Sequence, residues 1–167
     1  MHDIQSKSKS GLIWLWVAVL VLITDRVVKH FALVYLPPFS AVPVFPHFDL
    51  TLTYNTGAAF SFLDSASGWQ IWFFGVIATV VSIGILTWLY RLSASNRWLC
   101  IALNFILGGA LGNLSDRLLY GRVIDFLDFY LGNLHWPAFN IADSAICIGA
   151  FMLFIEAVFF KQAHSEQ

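Results

Sequence analysis

Four apolar runs punctuate the chain, at about residues 12–34, 69–90, 98–118 and 141–160. Each is close to the roughly 20 residues that a helix needs to cross the hydrocarbon of a bilayer. The first run follows Lys7 and Lys9, as the apolar core of a secretory signal peptide would. No small-x-small cleavage pattern follows it, and its helical pattern carries on through Asp25 and Lys29, so it reads as a first membrane span. Pro37 and Pro38 end that helix. Between the first two spans the period changes to two. Phe48, Leu50, Leu52 and Tyr54 alternate with Asp49, Thr51, Thr53 and Asn55, which predicts a half-buried strand outside the hydrocarbon, closed by a turn at Asn55-Thr56-Gly57. The segment after Gly121 to Ala138, which holds Val123, Asp125, Phe126, Asp128 and Phe129, is placed to add an extended strand to it. Ser67-Gly68-Trp69-Gln70 has the spacing of a helix capping box. Arg91 to Arg97 is short enough only for a tight turn between antiparallel helices. Trp69, Trp72, Trp88 and Tyr90 sit near the two ends of the second run, where aromatic belts lie. The expected fold is an all-α membrane protein, a single integral-membrane domain of four transmembrane helices with a small extracytoplasmic β and loop region.

Composition sharpens this. Of 167 residues, 59% are hydrophobic and only 11% charged, and a soluble core could not bury four such runs. A net charge of −1 leaves no basic face for nucleic acid. Cys100 and Cys147 both fall inside apolar runs and read as small core residues. No repeat or linker interrupts the chain.

The few charges inside or beside the spans therefore carry the information. Asp25 and Lys29, four apart, share a helical face and can pair, whether as an interfacial counter-ion pair or as part of a site. Gly108 and Gly112 form a small-x-x-x-small pair suited to tight helix packing. One turn on, Asn113 and Arg117 share a face, with Asp116 beside them. Asp116 and Arg117 could form a salt-bridged helix end, but a buried amide at Asn113 must find partners. Counting Lys7, Lys9, Arg91, Arg97 and Lys161 against Arg26, Lys29, Arg117 and Arg122 favours termini in the cytoplasm, more so if Lys29 and Arg117 serve a site.

Asp125 closes the stretch before the last loop and Asp143 opens the fourth span, so the topology returns both carboxyl groups to one membrane edge. Two carboxyl groups that share a proton can divide peptide hydrolysis between them, one taking a proton from water and one giving a proton to the scissile carbonyl. The first turn of a helix favours an ionised carboxylate, which marks Asp143 as the base and Asp125 as the acid. Taken alone, Asp143 three residues after Asn140 is also what a plain helix start looks like. Asp128, one strand repeat on, could stand in for Asp125. The small residues Gly57-Ala58-Ala59 beside the turn suit either an ordinary loop or a groove for an extended peptide. Five scattered histidines without a His-Glu-x-x-His run argue against a zinc protease, and Ser61 is a weak partner for Lys29 in a Ser-Lys pair.

Taken together, Asp25 with Lys29, Asn55-Thr56-Gly57-Ala58-Ala59-Phe60, Gly108-Gly109 to Gly112-Asn113 and Asp116-Arg117, Val123 to Phe126, and Phe139-Asn140 with Ala142-Asp143 resemble the lipoprotein signal peptidases, or type II signal peptidases. The resemblance extends over nearly the whole chain, in order. It implies a metal-free aspartyl endopeptidase of the bacterial inner membrane, without cofactor, acting at the periplasmic side as a monomer among membrane lipids. Its substrates would be prolipoproteins, cut just before a cysteine carrying diacylglycerol, and globomycin-type compounds would inhibit it. Asp125 and Asp143 take the place of the catalytic pair; Asn55, Gly57, Asn113, Asp116, Arg117 and Asn140 take the places of residues that shape the pocket or bind substrate. Arg26 departs from the family, which often has glutamine there, and no role carries over to it. The rival reading is a small transporter or assembly subunit using Asp25, Lys29, Asp116 and Arg117 as a charge relay; it leaves unexplained why Asp125 and Asp143 flank one outer loop.

Overall fold

The computed structural model describes residues 9–57 and 68–160. Lys7, the Ala58-Ala59-Phe60 run, Ser61, Ser67 and Lys161, named above, lie outside the described residues.

Among the described residues, four helices are long and apolar enough to cross a membrane. The first, α1 (Leu15–Tyr35), continues a short tighter turn, Gly11–Trp14, that Ser10 caps by accepting from Leu12 N at 3.3 Å. It ends where Leu36 turns extended before Pro37. The second is α2 (Trp69–Arg91) and the third α3 (Arg97–Tyr120), which Gly121 stops at a φ of +66°, a left-handed conformation that costs glycine little. The fourth, α4 (Ile141–Ile155), runs on into a wider turn, Glu156–Phe160. At the start of α2 Gly68 occupies the cap, and Gln70 Oε1 accepts from Gly68 N at 2.8 Å.

Helix α3 is the axis of the bundle and packs against the other three. It can do so because its inner positions are small. A Cβ on Gly108 would lie 2.7 Å from Ala18 O of α1, and one on Gly112 2.7 Å from Asp25 Oδ2. On the other side, a Cβ on Gly109 would collide with Ala142 O of α4, and Gly149 of α4 returns the fit against Ala102 O of α3. Lipid tails are as apolar as leucine, so burial alone does not drive helices together within a membrane; backbone approach and polar contacts do. The outer faces carry exposed Leu20, Ile23, Val76, Val80, Phe151 and Phe154, the surface that hydrocarbon covers.

Beyond one end of the bundle lies a four-stranded antiparallel sheet in the order β1 (Ala41–Phe45), β2 (Phe48–Asn55), β3 (Val123–Leu131), β4 (Leu134–His135). The two strands expected from the sequence pair with each other, Phe48 opposite Phe129 and Asn55 opposite Val123. Strand β1 was not anticipated: it is exposed throughout and holds Pro43, both tolerable only at a sheet edge. The alternation expected in β2 also fails. Asp49, Leu52 and Asn55 are the buried positions, because the register slips between Leu50 and Thr53. Leu52 packs with Ala32, Ile124 and Phe126 in a small core that joins the sheet to α1.

One further contact aligns the site. Phe139 lies against β3, its carbonyl accepting from Phe126 N at 3.1 Å and Leu127 N at 2.9 Å, its N–H donating to Leu127 O at 3.1 Å. The start of α4 is thereby laid beside the start of β3.

If close approach of α3 and α4 holds the bundle, Gly109→Ala must force them apart, a change of the overpacking kind that costs about 1–3 kcal/mol. Its thermal unfolding in detergent is expected several degrees below wild type. Gly84→Ala, where nothing lies within 4 Å of the added methyl, is expected to melt like wild type.

Candidate active site

The site grows from the beginning of α4. Asn140 caps the helix: its Oδ1 accepts from Asp143 N at 2.9 Å, and Asp143 Oδ2 accepts from Asn140 N at 3.2 Å, a reciprocal capping box. This is the plain helix start that the spacing allowed. The same Asn140 also reaches across, its Nδ2 donating to Asp125 Oδ1 at 2.6 Å. One fully buried residue therefore donates to both carboxyl groups, its side-chain amide to Asp125 and its backbone N–H to Asp143.

Each carboxyl group has further donors. Asn55 Nδ2, at the end of β2, donates to Asp125 Oδ2 at 3.2 Å, and Asn55 Oδ1 holds the turn by accepting from Gly57 N at 2.8 Å. Asn113 Nδ2, on α3, donates to Asp143 Oδ1 at 2.8 Å. Arg117 holds the rim, giving Nη2 to Gly57 O at 2.7 Å and Nη1 to Asn113 O at 3.3 Å. Asp125 is 2% exposed, whereas Asp143 is only partly buried, so solvent reaches the pair from the Asp143 side.

Beneath the pair lies a buried charge cluster. Lys29 Nζ sits 2.8 Å from Asp25 Oδ2 and 2.7 Å from Asp116 Oδ2, and donates to Asn113 Oδ1 at 3.1 Å. Asp25 accepts from Ala142 N at 3.0 Å, the first turn of α4, and Asp116 accepts from Ile124 N at 3.3 Å, the residue before Asp125. A buried charge survives only when paired and hydrogen-bonded, and here each pairing also fixes the backbone beside one of the two acids.

Burial and the negative charge of Asp143 together push the Asp125 carboxyl from 3.8 up to about 7, against the opposing hydrogen bonds from Asn55 and Asn140. Near neutral pH, Asp125 is thus close to half protonated.

The sequence profile described as signal peptidase (SPase) II matches residues 17–159. The chain belongs to the signal peptidase II family. Proteins named lipoprotein signal peptidase from Alteromonas mediterranea and Photorhabdus laumondii are 53% and 51% identical over 148 residues, 89% of this chain and 81% and 89% of theirs. Two solved structures described as bacterial membrane enzymes superpose with TM-scores of 0.79 and 0.77 at 30% and 32% identity, covering 93% and 88% of this chain and 92% and 93% of theirs. A signal peptidase II is a membrane protease, a hydrolase.

Every site residue expected from the sequence falls in this one cluster: Asp125, Asp143, Asn55, Gly57, Asn113, Asn140, Arg117, Asp116, Asp25 and Lys29. Two details differ. Asp116 pairs with Lys29 and Arg26 and not with its neighbour Arg117. Asp128, the alternative to Asp125, faces the β4 side, where His135 Nδ1 lies 3.0 Å from its carboxyl oxygens. Sequence reasoning missed Arg26, whose guanidinium pairs with Asp116. Its signal was a second cation within the first apolar run.

The raised Asp125 pKa has a consequence for stability with a defined sign. Folding favours the protonated carboxyl, so this contribution is whole below about pH 4 and is lost as pH rises through about 7. Asparagine has no such loss. The melting temperature of Asp125→Asn minus that of wild type is expected to grow by several degrees between about pH 4 and pH 8. Parallel melting curves across that range would exclude the raised pKa.

Proposed function

We propose that this protein is an aspartic endopeptidase that removes the signal peptide from diacylglyceryl-modified prolipoproteins, cleaving before the lipidated cysteine, at the periplasmic face of a bacterial inner membrane. The observation that carries the reading is Asn140, which donates its side-chain amide to the Asp125 carboxyl and its backbone N–H to that of Asp143. Together with Asn113 and Asn55, it supplies donors to both carboxyl groups and fixes them side by side.

In the proposed reaction Asp143, the more accessible acid, takes a proton from water as its oxygen attacks the scissile carbonyl. Asp125 gives its proton to the carbonyl oxygen, forming a gem-diol. Asp125 recovers a proton from one hydroxyl as the diol collapses, and Asp143 delivers the other proton to the departing amine. The sum is one water consumed and one peptide bond cut. Burial serves this chemistry, because only an aspartate whose pKa is raised toward 7 can donate a proton at neutral pH. The Asn55-Thr56-Gly57 turn, tied to α3 by Arg117, supports an extended peptide beside the pair.

A lipid anchor on the substrate cysteine would hold the cleavage point at the depth where the helices meet the sheet, which is where the pair lies. Lys9, Arg91 and Arg97 gather at the opposite end, around the Ser10 to Ser93 bridge. Arg26, Lys29 and Arg117 are engaged in the site, so the count of the other cations, Lys9, Arg91 and Arg97 against Arg122, favours cytoplasmic termini. The enzyme would work as a monomer among membrane lipids. None of the relatives named above is a transporter, and no observation favours the charge-relay reading.

The experiment is cleavage of a lipidated precursor by the purified protein in detergent. Asp125→Asn and Asp143→Asn are each expected to lower the rate by at least about 10²-fold to 10⁴-fold while the folded protein survives. A chelator is expected to leave the rate unchanged. Normal cleavage by both variants would exclude the pair as the catalytic group.

A further inference from the structure

Arg26 touches neither of the two acids and reaches the site only through Asp116. It projects from the partly exposed flank of α1, and its guanidinium reaches the buried Asp116 through Nη1, which also donates to Ser115 Oγ at 3.4 Å. From the other side Tyr120 holds it, the phenol oxygen accepting from Nη2 at 3.2 Å and the ring lying 5.6 Å from the guanidinium carbon. All of these contacts tie α1 to the last turns of α3.

What Arg26 grips matters more than how it is gripped. Asp116 Oδ1 meets Arg26, while Oδ2 meets Lys29 at 2.7 Å and Ile124 N at 3.3 Å. The charges balance only when Arg26 is included: Asp25 and Asp116 against Lys29 and Arg26. Without it, one cation serves two buried carboxylates, and the cluster under Asp125 gains a net negative charge.

We infer that Arg26 is a positioning residue for the cleavage reaction, holding Asp116 so that its second oxygen fixes Lys29 and the Ile124 N–H, and thereby the start of β3 and the Asp125 carboxyl. This rests on the proposed catalytic role of Asp125 and Asp143. Arg26 touches no reacting atom. It acts through Asp116, by geometry and by charge.

The groups that face this cluster come from four elements: Asp25, Arg26 and Lys29 from α1, Asp116, Arg117 and Tyr120 from α3, Asp125 from β3 and Asp143 from α4. Removing one positive charge from that set favours the protonated form of Asp125 and moves the pH profile of the enzyme toward higher pH. Glutamine at position 26 keeps a hydrogen-bond donor and loses the charge; lysine keeps the charge.

The test is the pH dependence of kcat and KM for a lipidated precursor. Arg26→Gln is expected to lower kcat about tenfold at neutral pH, leave KM within about twofold, and shift the profile upward by about half to one pH unit. Arg26→Lys is expected to recover most of kcat and the original profile. Tyr120→Phe, which loosens the grip without removing charge, serves if Arg26→Gln does not fold; it is expected to lower kcat about two- to fivefold with KM unchanged. A wild-type kcat and profile in Arg26→Gln, a loss confined to KM, or a wild-type kcat in Tyr120→Phe should the glutamine variant not fold, would overturn the inference. Asp125→Asn assayed alongside separates the two failures: if it cleaves normally the catalytic reading is wrong, and if it is dead while Arg26→Gln is normal, only the role of Arg26 falls.

Discussion

A lysine with 1% of its surface exposed, set among membrane helices, has to be neutralised, and the rest of the site follows from how that is done. Lys29 takes Asp25 from its own helix and Asp116 from α3, and leaves its remaining donor for Asn113. None of these partners stops at Lys29. Asp25 goes on to the backbone of Ala142, Asp116 to that of Ile124, and Asn113 to Asp143. The cost of burying one cation thus fixes the two chain segments on which Asp143 and Asp125 stand.

The glycines of α3 make that arrangement possible. At Gly112 the absence of a side chain admits the Asp25 carboxylate itself, and at Gly109 it admits the backbone of Ala142. A bulkier α3 would hold α1 and α4 too far away for Asp25 to reach the start of α4. Helix packing and the ion cluster are therefore one structure seen at two scales, the small residues setting the distance and the charges setting the register. Above it, the Phe139 bridge to β3 brings the two acids within reach of a single residue, Asn140, through its side-chain amide and its backbone N–H. One acid is sealed by the sheet and the other is left partly open, which separates a proton donor from a group that can meet water.

Much of this was legible in the sequence, for physical reasons. Length and polarity are severe constraints in a membrane, so the four spans and the outlying charges stood out. Period two between Phe48 and Asn55 gave away β2, and the placement of the segment after Gly121 its partner. Asp125, Asp143, Asn113 and the Asp25 and Lys29 pair were legible because each is a polar group where an apolar one would be cheaper, whereas Asn55, Gly57 and Asn140 came with the family resemblance. Other features left no trace. Strand β1 is exposed at every position, so it has no buried face to create a pattern. The register slip in β2 depends on pairing with β3, not on local order. Adjacency suggested Asp116 with Arg117, but successive helical residues point about 100° apart, and Asp116 faces α1 while Arg117 faces the turn at Gly57. Arg26 escaped for the same reason: its partner lies ninety residues away on another helix.

The central claim is that this fold makes a pair of neighbouring acids of which Asp125 carries the exchangeable proton near neutral pH. Infrared difference spectroscopy of the detergent-solubilised protein reads it directly, through the carbonyl stretch of a protonated carboxyl group followed over about pH 5 to 9. The expected result is a band that titrates with a midpoint near 7 in the wild type and is missing from Asp125→Asn. A wild-type spectrum with no carboxyl band changing in that range, or a band that persists unaltered in Asp125→Asn, would contradict it.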